Sequence, residues 1–174
     1  TVLFLTENGF MNEMDDMERM NGKNLKKWIW QAGALLLAPL TAVWLMQLAY
    51  GAAPWSLSPT AALANALCIA LLYWPLCGLT GRIAPCCIGI HLAAGLWGAA
   101  NYFVNAFRGT PILPWDLSAL GTAAAVAGNY RFVPTLSMLG ALALIVALGV
   151  FLLRKKHRAM LRLSREQWGV RLAC

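Results

Sequence analysis

Charge is what this sequence has least of. Only 12% of its 174 residues are charged, and 7 acidic residues stand against 14 lysines and arginines. Soluble domains carry about 25% charged and roughly 45–50% apolar residues. Here 60% of the chain is hydrophobic and the mean hydropathy is +0.61. So few charges cannot solvate so much apolar surface, which excludes a water-soluble domain. Disordered, collagen-like and disulfide-rich secreted chains fall to the same arithmetic. Metal-ligand spacing is also missing. Cys68, Cys77, Cys86, Cys87 and Cys174 form no C-x-x-C pair, and neither His91 nor His157 has a carboxylate close by in sequence. No metal or other cofactor is expected in this chain. A net charge of +7 could address nucleic acid, but no basic patch is interleaved with aromatics. The basic residues instead crowd the ends of apolar runs, as cytoplasmic membrane flanks do, and nucleic acid is not expected as a partner.

What remains is long apolar runs. A bilayer core about 30 Å thick takes about 20 apolar residues as helix. Four segments meet that length, at about 28–50, 59–79, 83–107 and 132–153. They are continuous and rich in alanine and leucine, without the period-2 alternation of a barrel strand. The class predicted is all-α: a polytopic membrane protein of four transmembrane helices. Residues 1–27 form an N-terminal segment, 28–153 the membrane domain and 154–174 a basic tail. Lys26 and Lys27 before the first run resemble a secretory signal, but that run exceeds the 7–15-residue core of a cleaved one. Met11 offers a natural start, so nothing is built on Thr1–Phe10. With the N-terminus inside, twelve of the fourteen lysines and arginines fall on the inner side and only Arg108 and Arg131 outside. That bias predicts a multi-pass protein of the cell membrane with both termini cytoplasmic.

The connection between the third and fourth runs has its own punctuation. Pro111 and Pro114 are expected to break the third helix. Trp115 to Ala127 reads as a short interfacial helix on the outer leaflet, with Asp116 in its first turn and Gly128-Asn129 as its stop. Arg108, Asp116 and Arg131 are its three charges. Asp116 is expected to hold Arg108 or Arg131, and the remaining guanidinium is suited to a lipid phosphate, which its planar fork can bind in bidentate fashion. Arg108 is the stronger headgroup candidate of the two because Gly109 beside it lets a headgroup approach. Trp115 suits the membrane–water boundary. Within the third run His91, Gly98 and Asn105 recur every seven residues, with Asn101 beside them. Such a stripe marks a helix–helix interface, or else a polar path through the membrane. Adjacent Cys86 and Cys87 read as small apolar residues at a helix end, with lipidation the other option. In the tail Arg158, Arg162 and Arg165 share a helical face that ordinary inner-flank charge or contact with an anionic leaflet would explain.

The stretch Asn101-Tyr102-Phe103 … Phe107-Arg108-Gly109-Thr110-Pro111 … Leu113-Pro114-Trp115-Asp116-Leu117 … Gly121-Thr122-Ala123 … Gly128-Asn129-Tyr130 resembles the membrane domain of lipoteichoic acid synthase-like proteins. These are phosphoglycerol transferases of the alkaline phosphatase/sulfatase superfamily in Gram-positive bacteria. The specific resemblance covers residues 101–131, about a fifth of the chain. It implies five membrane helices and then an extracellular domain that moves glycerol phosphate from phosphatidylglycerol, using a threonine nucleophile and a divalent metal. This chain departs from that pattern, with four spans and no such domain. None of the family's catalytic or metal positions can be carried over, so catalytic and metal residues are expected to be absent.

The function expected is therefore that of a membrane-anchoring and lipid-orienting domain, cut short before its catalytic domain, in synthesis of a cell-envelope polymer. Its partners would be the bilayer, an anionic phospholipid such as phosphatidylglycerol, and the missing extracellular catalytic domain. The chain alone would be inactive. A small transporter subunit or a membrane scaffold protein is the alternative, although no inverted repeat or matched pair of broken helices favours transport.

Overall fold

The computed structural model describes residues 2–113, 116, 121 and 133–154, apart from the side chains of 2–21 and 23. Among the described residues four long α-helices follow one another: α1 (Val2–Tyr50), α2 (Pro59–Thr80), α3 (Ile83–Arg108) and α4 (Leu136–Leu153), with a 3-10 turn at Pro54–Ser56. Asn24–Tyr50 of α1 and the whole of the other three are long and apolar enough to cross a membrane. The protein is an all-α, multi-pass membrane protein with no strand among the described residues. Apart from Asp116 and Gly121, the proposed short helix at 115–127, with Trp115 and its Gly128-Asn129 stop, lies outside the described residues, as do Arg131 and the tail from Lys155.

The helix ends have local causes. Ser58 caps α2 by accepting from the Ala61 amide at 3.3 Å, and Pro59 fills the first position, where no amide proton is needed. Gly81, left-handed at φ 64°, closes that helix, while Gly78 lies inside it. The end of α3 corrects one expectation. Gly109, at φ 75°, turns the chain and donates to the Asn105 carbonyl at 2.8 Å, so the helix stops before Pro111 is reached. The fourth span starts at 136, four residues later than expected. Pro134 disfavours helix at Val133, and Thr135 caps α4 through the Met138 amide.

Pro39 sits inside α1 and has no amide hydrogen for the Leu35 carbonyl one turn back. In hydrocarbon, water cannot replace that donor. α2 supplies it: Trp74 Nε1 donates to Leu35 O at 3.0 Å, and the Tyr73 hydroxyl donates to Ala34 O at 3.3 Å. Tyr73 is wholly buried. The break in α1 thus fixes where α2 docks.

Successive helices reverse direction, so α1 and α3 run parallel and form the centre. α3 buries Ala84, Cys87, His91, Ala94, Gly95 and Gly98, a stripe at helical spacing. α1 meets it with Ala38, Ala42, Val43, Leu45 and Ala49. Small residues let the backbones approach, which in lipid replaces the hydrophobic drive available in water. At Gly98 the approach is closest: a Cβ there would collide with the Met46 carbonyl oxygen. One apolar cluster joins Ala38, Tyr73, Cys77, Ile83 and Leu152. A second, toward Tyr50, joins Leu45, Ala49 and Ala141. α4 is the outlying helix, with 17% of its spanning window buried against 44% for α3. Leu136, Leu139, Leu142, Leu144 and Leu153 face outward, as residues bathed in lipid should, while Leu152 reaches the core.

Candidate functional site

Among the described residues two polar stations stand out in this apolar frame. The first is where α3 leaves the membrane. Arg108 at the end of α3 forks onto Asp116, with Nη1 donating to Oδ1 at 2.9 Å and Nη2 to Oδ2 at 2.6 Å. The same guanidinium donates to the Pro111 carbonyl at 3.0 Å and, through Nε, to Thr110 Oγ1 at 3.0 Å. Asp116 Oδ2 also accepts from the Leu113 amide at 2.7 Å, and Asn101 Oδ1 accepts from the Ile112 amide at 2.8 Å. Residues 109–113 are thereby folded back on the end of α3. A left-handed glycine begins the reversal, and Pro111 keeps it from continuing as helix.

Arg108 and Asp116 are 44% and 22% exposed, so water and salt screen their attraction and the pair adds little stability by itself. Its value is geometric. The Arg108 guanidinium, and then the Leu113 amide, hold the Asp116 carboxyl down to a pKa of about 2. Of the two arginines expected to hold Asp116, Arg108 does so. Its fork is filled by a carboxylate instead of standing open. Trp115 and Arg131 lie outside the described residues.

The second station is inside the membrane. His91 is 4% exposed on the α3 stripe. Its Nδ1 lies 2.7 Å from the Cys87 carbonyl oxygen, which can only accept, so Nδ1 carries a proton. Its Nε2 lies 2.9 Å from Thr41 Oγ1 on α1. Thr41 is exposed and lies 3.0 and 3.1 Å from the carbonyl oxygens of Leu37 and Ala38. Cavities of about 370 and 350 Å³ share Thr41, His91 and Leu148. Together they make one cleft between α1 and α4, floored by α3. Trp44, Leu48 and Ile145 line one arm, and Trp30, Ala34 and Leu152 the other.

The seven-residue stripe is thus divided between the stations. His91 and Gly98 face α1 in the packed interior, Asn101 braces the connection, and Asn105 gives its carbonyl to the cap of α3. It forms no continuous path. Thr41 escaped sequence reasoning because its partner is fifty positions away, although it is the one serine or threonine of the first span. Trp74 and Tyr73 escaped it too, and Pro39 was the available signal. Among the described residues no three His, Cys, Asp or Glu side chains gather as a metal site, and Cys68, Cys77, Cys86 and Cys87 are free thiols. Comparison of the chain with protein-family models, curated proteins and solved structures finds no match.

Proposed function

We propose that this chain is the membrane-anchoring and lipid-orienting domain of a lipoteichoic acid synthase-like phosphoglycerol transferase. The observation that carries the reading is the clasp at the end of α3. The residues on which the resemblance rests, Asn101, Arg108, Thr110, Pro111 and Asp116, are the ones joined there by hydrogen bonds. A passive connector has no need of so many. Residues 109–113, tied back onto the end of α3 at the membrane surface, are suited to form part of a platform beneath a catalytic domain. In this reading both termini are cytoplasmic, the clasp faces outside, and the organism is Gram-positive. The chemistry, with its divalent metal, belongs to the catalytic domain, and these 174 residues alone turn nothing over. Because Asp116 fills the fork of Arg108, the headgroup of an anionic phospholipid such as phosphatidylglycerol falls to Arg131, while Arg108 shapes the loop.

The test is phosphatidylglycerol affinity in nanodiscs. Arg131→Ala is expected to weaken it severalfold more than Arg108→Ala, and Asp116→Ala to strengthen it by releasing a guanidinium. Unchanged affinity in all three variants would overturn the lipid-orienting role. Cysteine labelling on a background without native cysteines tests the orientation: a site near Pro54 should react from outside and one near Arg82 should not. Metal-dependent release of diacylglycerol from phosphatidylglycerol by the purified chain would contradict its inactivity.

A further inference from the structure

The cleft between α1 and α4 holds a polar group that the clasp and its proposed role leave unused. Thr41 sits about 18 Å along α1 from Ile29 at one end of the cleft and about 10 Å from Leu48 at the other, at 1.5 Å per residue. It therefore lies well inside the membrane, on the open side of the cleft, with the buried His91 behind it.

Counting protons shows what the station lacks. Nδ1–H of His91 is committed to the Cys87 carbonyl. The Thr41 hydroxyl has one proton, and three acceptors surround it: His91 Nε2 at 2.9 Å, Leu37 O at 3.0 Å and Ala38 O at 3.1 Å. The two carbonyls already face amides of their own helix, whereas among the described residues Nε2 has no donor except this hydroxyl. Once Thr41 gives its proton to Nε2, the lone pairs of Oγ1 are left toward the cleft with acceptors as their only polar neighbours. Water is scarce at this depth in a bilayer, and acceptor capacity left unused in hydrocarbon is unfavourable. A ligand O–H would complete a chain in which each link runs from donor to acceptor: ligand to Oγ1, Oγ1 to Nε2, Nδ1 to the Cys87 carbonyl. The chain carries no net charge, as a site in lipid requires.

We propose that this cleft binds an uncharged, membrane-soluble chain molecule bearing a terminal O–H group, which donates to Thr41 while its apolar chain lies in the longer arm toward Trp30 and Leu152. The occupant is an amphiphile of this kind and not bulk acyl chain, because an ordinary acyl chain has no donor to offer at that depth. A long-chain alcohol and an undissociated fatty acid share this chemistry. The inference stands independently of the proposed function.

Photoaffinity labelling of the full chain in nanodiscs tests it, using diazirine-bearing tetradecanol and tetradecanoic acid beside the methyl ether and the methyl ester. Labelled peptides are mapped by mass spectrometry. The alcohol or the acid should label the walls of the cleft on α1 and α4, and which of them does so identifies the source of the O–H. The ether and ester should label several times less. Thr41→Val, close in shape, should reduce labelling about twofold to tenfold, the range one hydrogen bond spans, and Thr41→Ser should restore it. Equal labelling by the alcohol and its ether, or indifference to Thr41→Val in a folded protein, would overturn the proposal. So would imidazole ¹⁵N resonances showing both His91 nitrogens protonated before any ligand is added, since the station would then have completed itself.

Discussion

The clasp at the end of α3 and the His91–Thr41 pair inside the bundle are both built from hydrogen bonds, and they are opposites in their surroundings. The clasp carries full charges, but it sits where water reaches it. Each charge is answered by several partners within a few residues of the chain. The inner pair joins two helices through residues fifty positions apart. It lies deep in the span, where water is scarce. Charge can be local and abundant at the surface because screening makes errors cheap there. In the interior even one hydroxyl proton matters, and backbone packing must hold the partners in place. Disturbing the packing should therefore erase the inner pair and leave the clasp standing, and disturbing the clasp should do the reverse.

The largest effect is expected from Gly98→Val. Its side chain would meet the Met46 carbonyl, and overpacking of this kind costs about 1–3 kcal/mol or more. Thermal unfolding in detergent should show the loss. In whatever folded fraction survives, the His91 imidazole resonances should shift, while the Leu113 amide remains protected by Asp116. Loss of both stations together would deny that they are independent.

Next comes the support behind α1. Trp74→Phe removes the donor from the Leu35 carbonyl and should cost about 1 kcal/mol. In a Pro39→Ala background the helix supplies its own amide hydrogen, and the same Trp74→Phe change should then cost almost nothing. An equal cost in both backgrounds would show that Trp74 stabilises by packing alone. At the other station, Asn101→Ala withdraws the acceptor of the Ile112 amide. Hydrogen exchange at Ile112 should quicken, with an overall destabilisation below about 1 kcal/mol. The imidazole of His91 should not notice.

Asp116→Asn should give the smallest change in melting temperature, yet a local one: faster exchange at Leu113 and less sensitivity of residues 109–113 to salt. Acid should act differently. The folded carboxyl titrates at about 2, below the unfolded value of about 3.9. A depressed carboxyl contributes its full share of stability above the unfolded value and loses it as pH falls through the folded one. Protection of Leu113 should therefore persist at pH 4 and vanish near pH 2. Loss at pH 4 would mean that Arg108 does not hold the carboxylate.

The amino-acid sequence by itself determined the class, the number of spans and most of their ends, because the partition of apolar segments into lipid depends on their length and composition and not on what they touch. It also determined which residues at the surface could pair, since Arg108 and Asp116 are eight positions apart and the glycine and prolines between them leave the chain few other paths. Which arginine takes Asp116 was left open, because the choice depends on how the chain turns after Gly109. Tertiary structure alone decided the interior. Sequence marked His91 as one residue of a stripe but carried no sign that Thr41 stands opposite it. Pro39 announced a carbonyl without a donor but not the indole that answers it. Contacts between helices depend on which faces meet and how closely the backbones approach, and one glycine at position 98 sets that distance. In lipid, where apolar faces have little preference for one another over solvent, that choice belongs to shape and to scarce hydrogen bonds.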